Sequence, residues 1–239
     1  MQPTYAAQYR KLYENHWWWR SREEILIEVL KQTFPGRDNL KILDVGCGDG
    51  LFFSELKKFG TPAGVETVES LITEHGRSLG EIYVGELGSF NAPTKYDLIL
   101  MLDVIEHLPD EKPLLVRARE LLAPGGRLII TVPAFMSLWT HHDDLNQHCR
   151  RYNKGMLRDV LKESGFEVLR LQYLFAWPAV AKFMLHYLEM LRAPKNEETH
   201  IPAPMINKFL VQLCRFEYGC LKVLGAPFGS SVLAVSNPA

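Results

Sequence analysis

The sequence predicts an α/β fold built on a seven-stranded sheet, and three observations carry that prediction. Apolar, strand-length runs alternate with amphipathic stretches of helical period, which is a βαβ rhythm. The run Leu40-Lys41-Ile42 leads into Leu43-Asp44-Val45-Gly46-Cys47-Gly48-Asp49-Gly50, so a buried strand ends in a carboxylate and turns sharply through glycines. A second apolar strand, Ala63-Gly64-Val65-Glu66, ends in another carboxylate about one βαβ unit later.

Taken in order, the chain opens with Tyr5, Tyr9 and Tyr13 at helical spacing, then His16-Trp17-Trp18-Trp19-Arg20. Ser21-Arg22-Glu23-Glu24 matches a capping box, and Ile25, Leu26, Val29 and Leu30 continue an apolar helix face until Phe34-Pro35-Gly36 stops it. Strands are expected at 40–45, 63–66, 82–85, 97–101, 126–132, 166–173 and 231–235, and helices at 50–59, 68–78, 111–122 and 154–164. The exception to the rhythm is 174–229, where two apolar-periodic stretches, 176–192 and 204–224, flank a polar connection. A link this long between neighbouring strands carries structure or function of its own. The expected organisation is a helical N-terminal lid at 1–36, an α/β core at 37–173, a helical insertion at 174–229 and a final core strand at 230–239.

Composition narrows the function classes. The chain has 239 residues, 47% hydrophobic and 23% charged, with a formal net charge of −1, a globular balance without the basic excess that nucleic acid attracts. The four cysteines (Cys47, Cys149, Cys214, Cys220) form no C-x-x-C pair, which fits a reduced, cytoplasmic setting. Met1 to Tyr5 carries no basic segment before an apolar one, so no secretory leader is expected. Pro178, Lys182, His186 and Glu189 interrupt the apolar stretch from Leu171 to Leu191, which is therefore read as non-spanning.

The glycine turn carries the chemistry. A loop for a dinucleotide pyrophosphate supplies backbone N–H groups and positive potential, whereas Asp44 supplies an acceptor. That suits a ligand with an ammonium group and no phosphate, such as S-adenosyl-L-methionine. Glu66 is placed to accept both ribose hydroxyls. Gly85-Glu86-Leu87 brings a carboxylate and a backbone N–H to where an adenine edge would lie, with an exposed loop glutamate as the plain alternative.

Two further stretches complete a pattern: Leu102-Asp103-Val104-Ile105-Glu106-His107-Leu108 after the fourth strand, and Leu121-Leu122-Ala123-Pro124-Gly125-Gly126 before the fifth. With these, residues 38–173 and the last strand resemble class I S-adenosylmethionine-dependent methyltransferases. The resemblance implies a Rossmann-like sheet with its last strand antiparallel. It implies that Asp44, Gly46, Cys47 and Gly48 hold the methionine part, that Glu66 holds the ribose, and that Leu102 and Asp103 border the sulfonium. One departure is Glu86, where Asp is more usual. The tryptophan cluster and the stretch Trp139 to Tyr152 further resemble a bacterial branch of poorly characterised methyltransferases, which leaves the acceptor open.

The histidine-rich segment His141-His142-Asp143-Asp144 with His148 follows the fifth strand, on the ligand-binding edge of such sheets. Three readings stand beside one another there. His142 or His148, oriented by Asp143, serves as base or acceptor contact; the group forms a buried polar network; or it holds a metal, although the spacing matches no zinc pattern and none is expected. His107 lines the same cleft. Arg151 and Tyr152 either contact an anionic acceptor group or tie the loop to the domain. The tryptophans are read as a lid over the cofactor, with Arg20 or Arg22 reaching the methionine carboxylate, and Trp177 as part of an apolar acceptor wall.

The expected function is methyl transfer to O or N of a small, lipid-like or glycan-precursor acceptor, by a cytoplasmic monomer or homodimer with a peripheral contact to the inner membrane face. No nucleic-acid partner is expected, since a motif for holding a flipped base is missing after the fourth strand. The alternatives are a nicotinamide-dependent oxidoreductase, disfavoured because Gly46-x-Gly48-x-Gly50 is one residue short of G-x-G-x-x-G, and a non-catalytic partner of the same fold.

Overall fold

The computed structural model describes residues 10–189 and 201–239. Helix α1 (Trp17–Thr33) precedes β1 (Leu40–Val45), α2 (Phe53–Leu56), β2 (Gly60–Glu66), α3 (Glu74–Leu79) and β3 (Glu81–Val84). Then come β4 (Tyr96–Leu102), α4 (Lys112–Leu121), β5 (Leu122–Pro133), α5 (His141–Leu145), α6 (Lys154–Glu163) and β6 (Phe166–Leu174). Helices α7 (Ala176–Glu189) and α8 (Pro204–Leu224) separate β6 from β7 (Ser231–Pro238).

All seven strands join one sheet in the order β3-β2-β1-β4-β5-β7-β6. Strands β1 to β5 pair in parallel, while β7 runs antiparallel to both β5 and β6. The strand order reverses between β1 and β4, so a crevice opens at their carboxyl ends, where ligands settle in such sheets.

Period-two alternation divides the core into two layers. Leu43, Val45, Ile99, Met101, Leu128, Ile130 and Val132 face one way, against Leu115, Leu121, Leu157 and Leu161 of α4 and α6. Ile42, Leu98, Leu100, Ile129, Leu233 and Val235 face the other way, against Ile25, Leu26, Val29 and Leu30 of α1. Each such fully buried side chain contributes about 1.5–3 kcal/mol of transfer free energy before the entropy of ordering is counted.

Three local expectations are corrected. Helix α1 starts at Trp17 and not at Ser21: the His16 ring accepts from the Trp18 N–H at 3.2 Å, and the Ser21 hydroxyl donates back to the Trp17 carbonyl at 2.7 Å. Burial lowers the His16 pKa to about 4, which keeps the ring nitrogen an acceptor. The helix expected at 50–59 shrinks to Phe53–Leu56, because Gly48 and Gly50 sit at φ +55° and +62°, outside right-handed helix. The helix expected at 68–78 breaks at extended Thr73, whose hydroxyl accepts from Gly76 N–H and donates to Asp49. Helix α1, which begins with the tryptophans, is also part of the sheet's own core through Ile25, Leu26, Val29 and Leu30, so that segment is more than a cover. Tyr5 and Tyr9 lie outside the described residues.

Helix α8 packs along α1, where Asn207 accepts from the Trp17 N–H at 2.7 Å and Lys222 pairs with Glu28 at 3.4 Å. Glu217 of α8 accepts from the N–H groups of Ala176 and Trp177, at 2.7 and 2.8 Å, and so caps the first turn of α7. Among the described residues no helix is long and apolar enough to cross a membrane.

Candidate functional site

The crevice is built from strand ends. Parallel strands deliver their ends to one edge, so Asp44, next to last in β1, and Glu66 and Leu102, which close β2 and β4, converge there. The N–H groups of Gly46 and Cys47 donate back to the Val65 carbonyl, at 2.8 and 3.3 Å, folding the glycine turn over β2. Gly46 lies at φ +72°, and a Cβ there would meet the Val104 methyl at 2.7 Å. At Gly48 a Cβ would meet nothing within 4 Å, so the loop presents bare backbone to open space.

Glu66 organises this loop. Its carboxylate accepts from Gly48 N–H at 2.8 Å, Val68 N–H at 2.9 Å and the Thr67 hydroxyl at 3.4 Å, which leaves Oε2 with a lone pair for a further hydroxyl donor. Asp44 is buried, and burial pushes its carboxyl up to about 7, with Arg22 opposing and Glu66 adding to the rise. Two carboxylates at one loop make a negative pocket that a cationic ligand would relieve. The residues thus fit a ligand bearing an ammonium and a ribose. Burial and the Asp44 charge push the Cys47 thiol far up, so it stays neutral. Farther along the edge, the Glu86 side chain is exposed; Leu87 is buried in the core, leaving only its backbone to meet a ligand.

The ends of β4 and β5 form the second wall. Asp103 adopts φ +60°, and its carboxylate accepts from Thr131 at 3.2 Å and pairs with Arg22 at 2.8 Å. Arg22 also donates to Thr131 at 2.8 Å and lies 5.5 Å from the Trp18 ring centre. Arg20 instead pairs with Glu23 at 2.6 Å. Phe135 and Phe175, just past β5 and β6, also take left-handed backbone (φ +57° and +63°). For aromatic residues this is strain, of a kind that gathers at functional edges.

The histidine segment is tied together by Asp143, which is fully buried. Its carboxylate accepts from the Arg151 guanidinium at 2.8 Å twice, from His148 Nδ1 at 2.9 Å and from Thr140 N–H at 2.7 Å. Burial alone would raise its pKa; the His148 and Arg151 hydrogen bonds and the Arg151 charge outweigh it and hold the carboxyl well below the usual range. His142 is exposed. Desolvation by surrounding protein, then the Lys182 ammonium, lower its pKa; an exposed ring feels the first only in part. Lys182, crowded by protein and facing Arg151, is itself lowered to about 8.

Several expected contacts are placed elsewhere. Tyr152 is buried at 1% exposure and donates to Glu111 at 3.2 Å, under the Arg150–Glu111 pair. Arg151, 3% exposed, is spent on Asp143 and the Ala134 carbonyl. For both, the tie to the domain replaces the acceptor contact. Trp177 stacks near Trp17 with ring centres 5.1 Å apart, in the junction of α1 with α7. Sequence reasoning gave no role to Thr131 or Glu106. Thr131 carried no signal, as a lone threonine in a buried strand; Glu106 stood in the Asp-x-x-Glu-His turn and was legible there. Its burial, with Asp103 nearby, raises its pKa well above the carboxylate range. Among the described residues, the metal-ligating atoms that come within reach of one another are those of Glu106, His107 and His148.

Comparison with known proteins agrees with this architecture. The family model described as a methyltransferase domain matches residues 18–171. A probable S-adenosylmethionine-dependent methyltransferase of Mycolicibacterium smegmatis is 29% identical over 166 residues, 66% of this chain and 62% of that protein. A ubiquinone biosynthesis O-methyltransferase of Leptothrix cholodnii is 25% identical over 135 residues, 48% of this chain and 57% of that protein. The alignments thus span less than two thirds of these relatives' length. The crystal structure of a SAM-dependent methyltransferase from Thermotoga maritima superposes with a TM-score of 0.60 at 20% identity, covering 98% of this chain and 96% of that one. The magnesium protoporphyrin IX methyltransferase of Synechocystis, solved with bound SAH, gives 0.55 at 14% identity, covering 91% and 82%. The chain belongs to the methyltransferase-domain family, a group of S-adenosyl-L-methionine-dependent enzymes.

Proposed function

We propose that this protein transfers the methyl group of S-adenosyl-L-methionine to an oxygen or nitrogen of a small or lipid-like acceptor. The observation that carries the reading is the pair Asp44 and Glu66 at one glycine loop, a negative cradle beside bare backbone at Gly48. In this reading Asp44 faces the ammonium, Glu66 takes the ribose hydroxyls, and Arg22, held by Asp103 and Thr131, adds positive potential near the methionine carboxylate. Trp18 and Trp19 cover that end of the cleft. Methyl transfer from a sulfonium is an in-line displacement, so the acceptor atom must lie on the far side of the carbon from sulfur and must shed its proton. His142, whose lowered pKa keeps it neutral near pH 7, takes that proton. His148, locked by Asp143, positions the acceptor.

Relatives named for ubiquinone biosynthesis are O-methyltransferases by their name, and the exposed apolar side chains of α7 and α8 support an apolar acceptor here. Phe183, Met184, Met205, Phe209 and Phe216 there are between 56% and 86% exposed. A face of this kind suits a lipid surface or an alkyl chain.

The test pairs calorimetry with an acceptor screen. S-adenosylhomocysteine should bind the wild type and lose affinity in Asp44→Ala and Glu66→Ala; unchanged binding in both would sink the cofactor reading. Labelled methyl transfer across phenols and amines of rising alkyl length, with and without vesicles, then reads the acceptor. His142→Ala should lower turnover by about 10²-fold and remove the acidic limb of the pH–rate profile, with cofactor affinity unchanged.

A further inference from the structure

We propose that Glu106, His107 and His148 hold a divalent transition-metal cation at the acceptor side of the cleft. Their candidate ligand atoms all lie within 4.8 Å of one another. Ligands on a tetrahedral ion with bonds of about 2.1 Å stand about 3.4 Å apart, so the side chains draw in by about an ångström to complete the site.

The independent sign of a ligand is Glu106. The residue is 0% exposed, and neither carboxylate oxygen has a hydrogen-bond partner among the described residues. A buried carboxylate without donors is costly. A bound cation satisfies both oxygens and offsets the charge.

His148 has the setting of a metal ligand. Its Nδ1 meets the buried Asp143 carboxylate at 2.9 Å, which fixes the tautomer and leaves the lone pair on Nε2. A carboxylate behind a histidine in this way orients the ring and raises its basicity toward a metal. His107 packs edge-on against it with ring centres 4.7 Å apart. The two segments are tied before any ion arrives. Cys149 N–H donates to the Glu106 carbonyl at 2.7 Å, and its thiol donates to the His107 carbonyl at 3.4 Å. Two imidazoles and one carboxylate suit Zn²⁺, Co²⁺, Fe²⁺ or Mn²⁺ better than Mg²⁺, which prefers oxygen.

Three protein ligands leave coordination positions open, and an acceptor hydroxyl bound there would be held and acidified. That last role rests on the methyl-transfer reading; the site itself does not.

Protein stripped with chelator and returned to chelator-free buffer should bind one equivalent of Zn²⁺ by calorimetry, and Co²⁺ should give visible bands of nitrogen ligation. Glu106→Gln and His148→Gln should each weaken binding at least about tenfold, while exposed His75→Gln leaves it unchanged. Absence of stoichiometric binding to the wild type overturns the site and marks Glu106 as a neutral buried acid. Wild-type affinity in both Glu106→Gln and His148→Gln overturns it equally. S-adenosylhomocysteine is titrated into the same samples. Intact cofactor binding without metal binding removes only the cation. Metal binding without cofactor binding supports the site and removes the methyl-transfer reading.

Discussion

The two walls of the crevice handle buried charge in opposite ways. At the β1–β2 side, Asp44 and Glu66 sit together with acceptor capacity left over, and Asp44 is held near neutrality by its own burial. At the α5 side, Asp143 is as deeply buried but is saturated by Arg151, His148 and Thr140. The first arrangement is unfinished without a ligand; the second is finished by the protein. The difference teaches which buried carboxylates to read as binding groups and which as scaffold.

The largest effect should come from breaking the finished side. Asp143→Ala strands the buried Arg151 cation, which should cost about 3–5 kcal/mol of stability, read by urea or thermal unfolding. Because the Asp143 pKa is depressed, its stabilisation is present above the ordinary carboxylate value near 4 and is lost as pH falls through the folded value. The wild type should therefore lose its advantage over Asp143→Ala in acid. Equal stability of the two proteins at pH 7 would end the contrast.

On the open side the effect should appear in binding. Glu66→Ala should weaken S-adenosylhomocysteine by about 1.5–3 kcal/mol, or roughly 10- to 150-fold, as for hydrogen bonds to a charged group. Asp44→Asn should do something a scaffold residue does not: raise the stability of the ligand-free protein, by about 1–2 kcal/mol or about 2–8 °C in Tm. The sign follows from its raised pKa. The folded state keeps the proton to about pH 7, so wild-type stability relative to Asp44→Asn falls as pH rises from about 4 to 7 and stays low above it. Cofactor affinity should rise over the same upper range, as the carboxylate ionises to meet the ammonium. The smallest effect belongs to Tyr152→Phe, which removes one hydrogen bond to Glu111 and should cost about 1 kcal/mol without touching cofactor affinity.

The sheet was legible in the sequence because burial on both faces leaves continuous apolar runs that stop at turn residues. The strand-end carboxylates were legible for a related reason: an acid closing an apolar strand has no other business there. Helices near the glycine loop were not. Nothing in a propensity pattern shows that Gly50 adopts φ +62° or that Thr73 turns to cap Gly76. Arg151 and Tyr152 were ambiguous in sequence, since a charged or phenolic residue after a loop reads alike whether it faces a ligand or a buried partner. Only the position of Asp143 and Glu111 decided it, and the Tyr152–Glu111 contact spans 41 residues of sequence.

The placement of β7 has a consequence for how the molecule is made. It lies between β5 and β6, yet it follows both in the chain, after the two helices α7 and α8. A chain cut anywhere before Ser231 would leave β6 without a neighbour and β5 with a bare edge rich in Leu, Ile and Val. During synthesis, the ribosome must deliver residues 231–238 before the sheet can close, so premature termination or a nick near this end should yield an aggregation-prone chain and not a smaller working one.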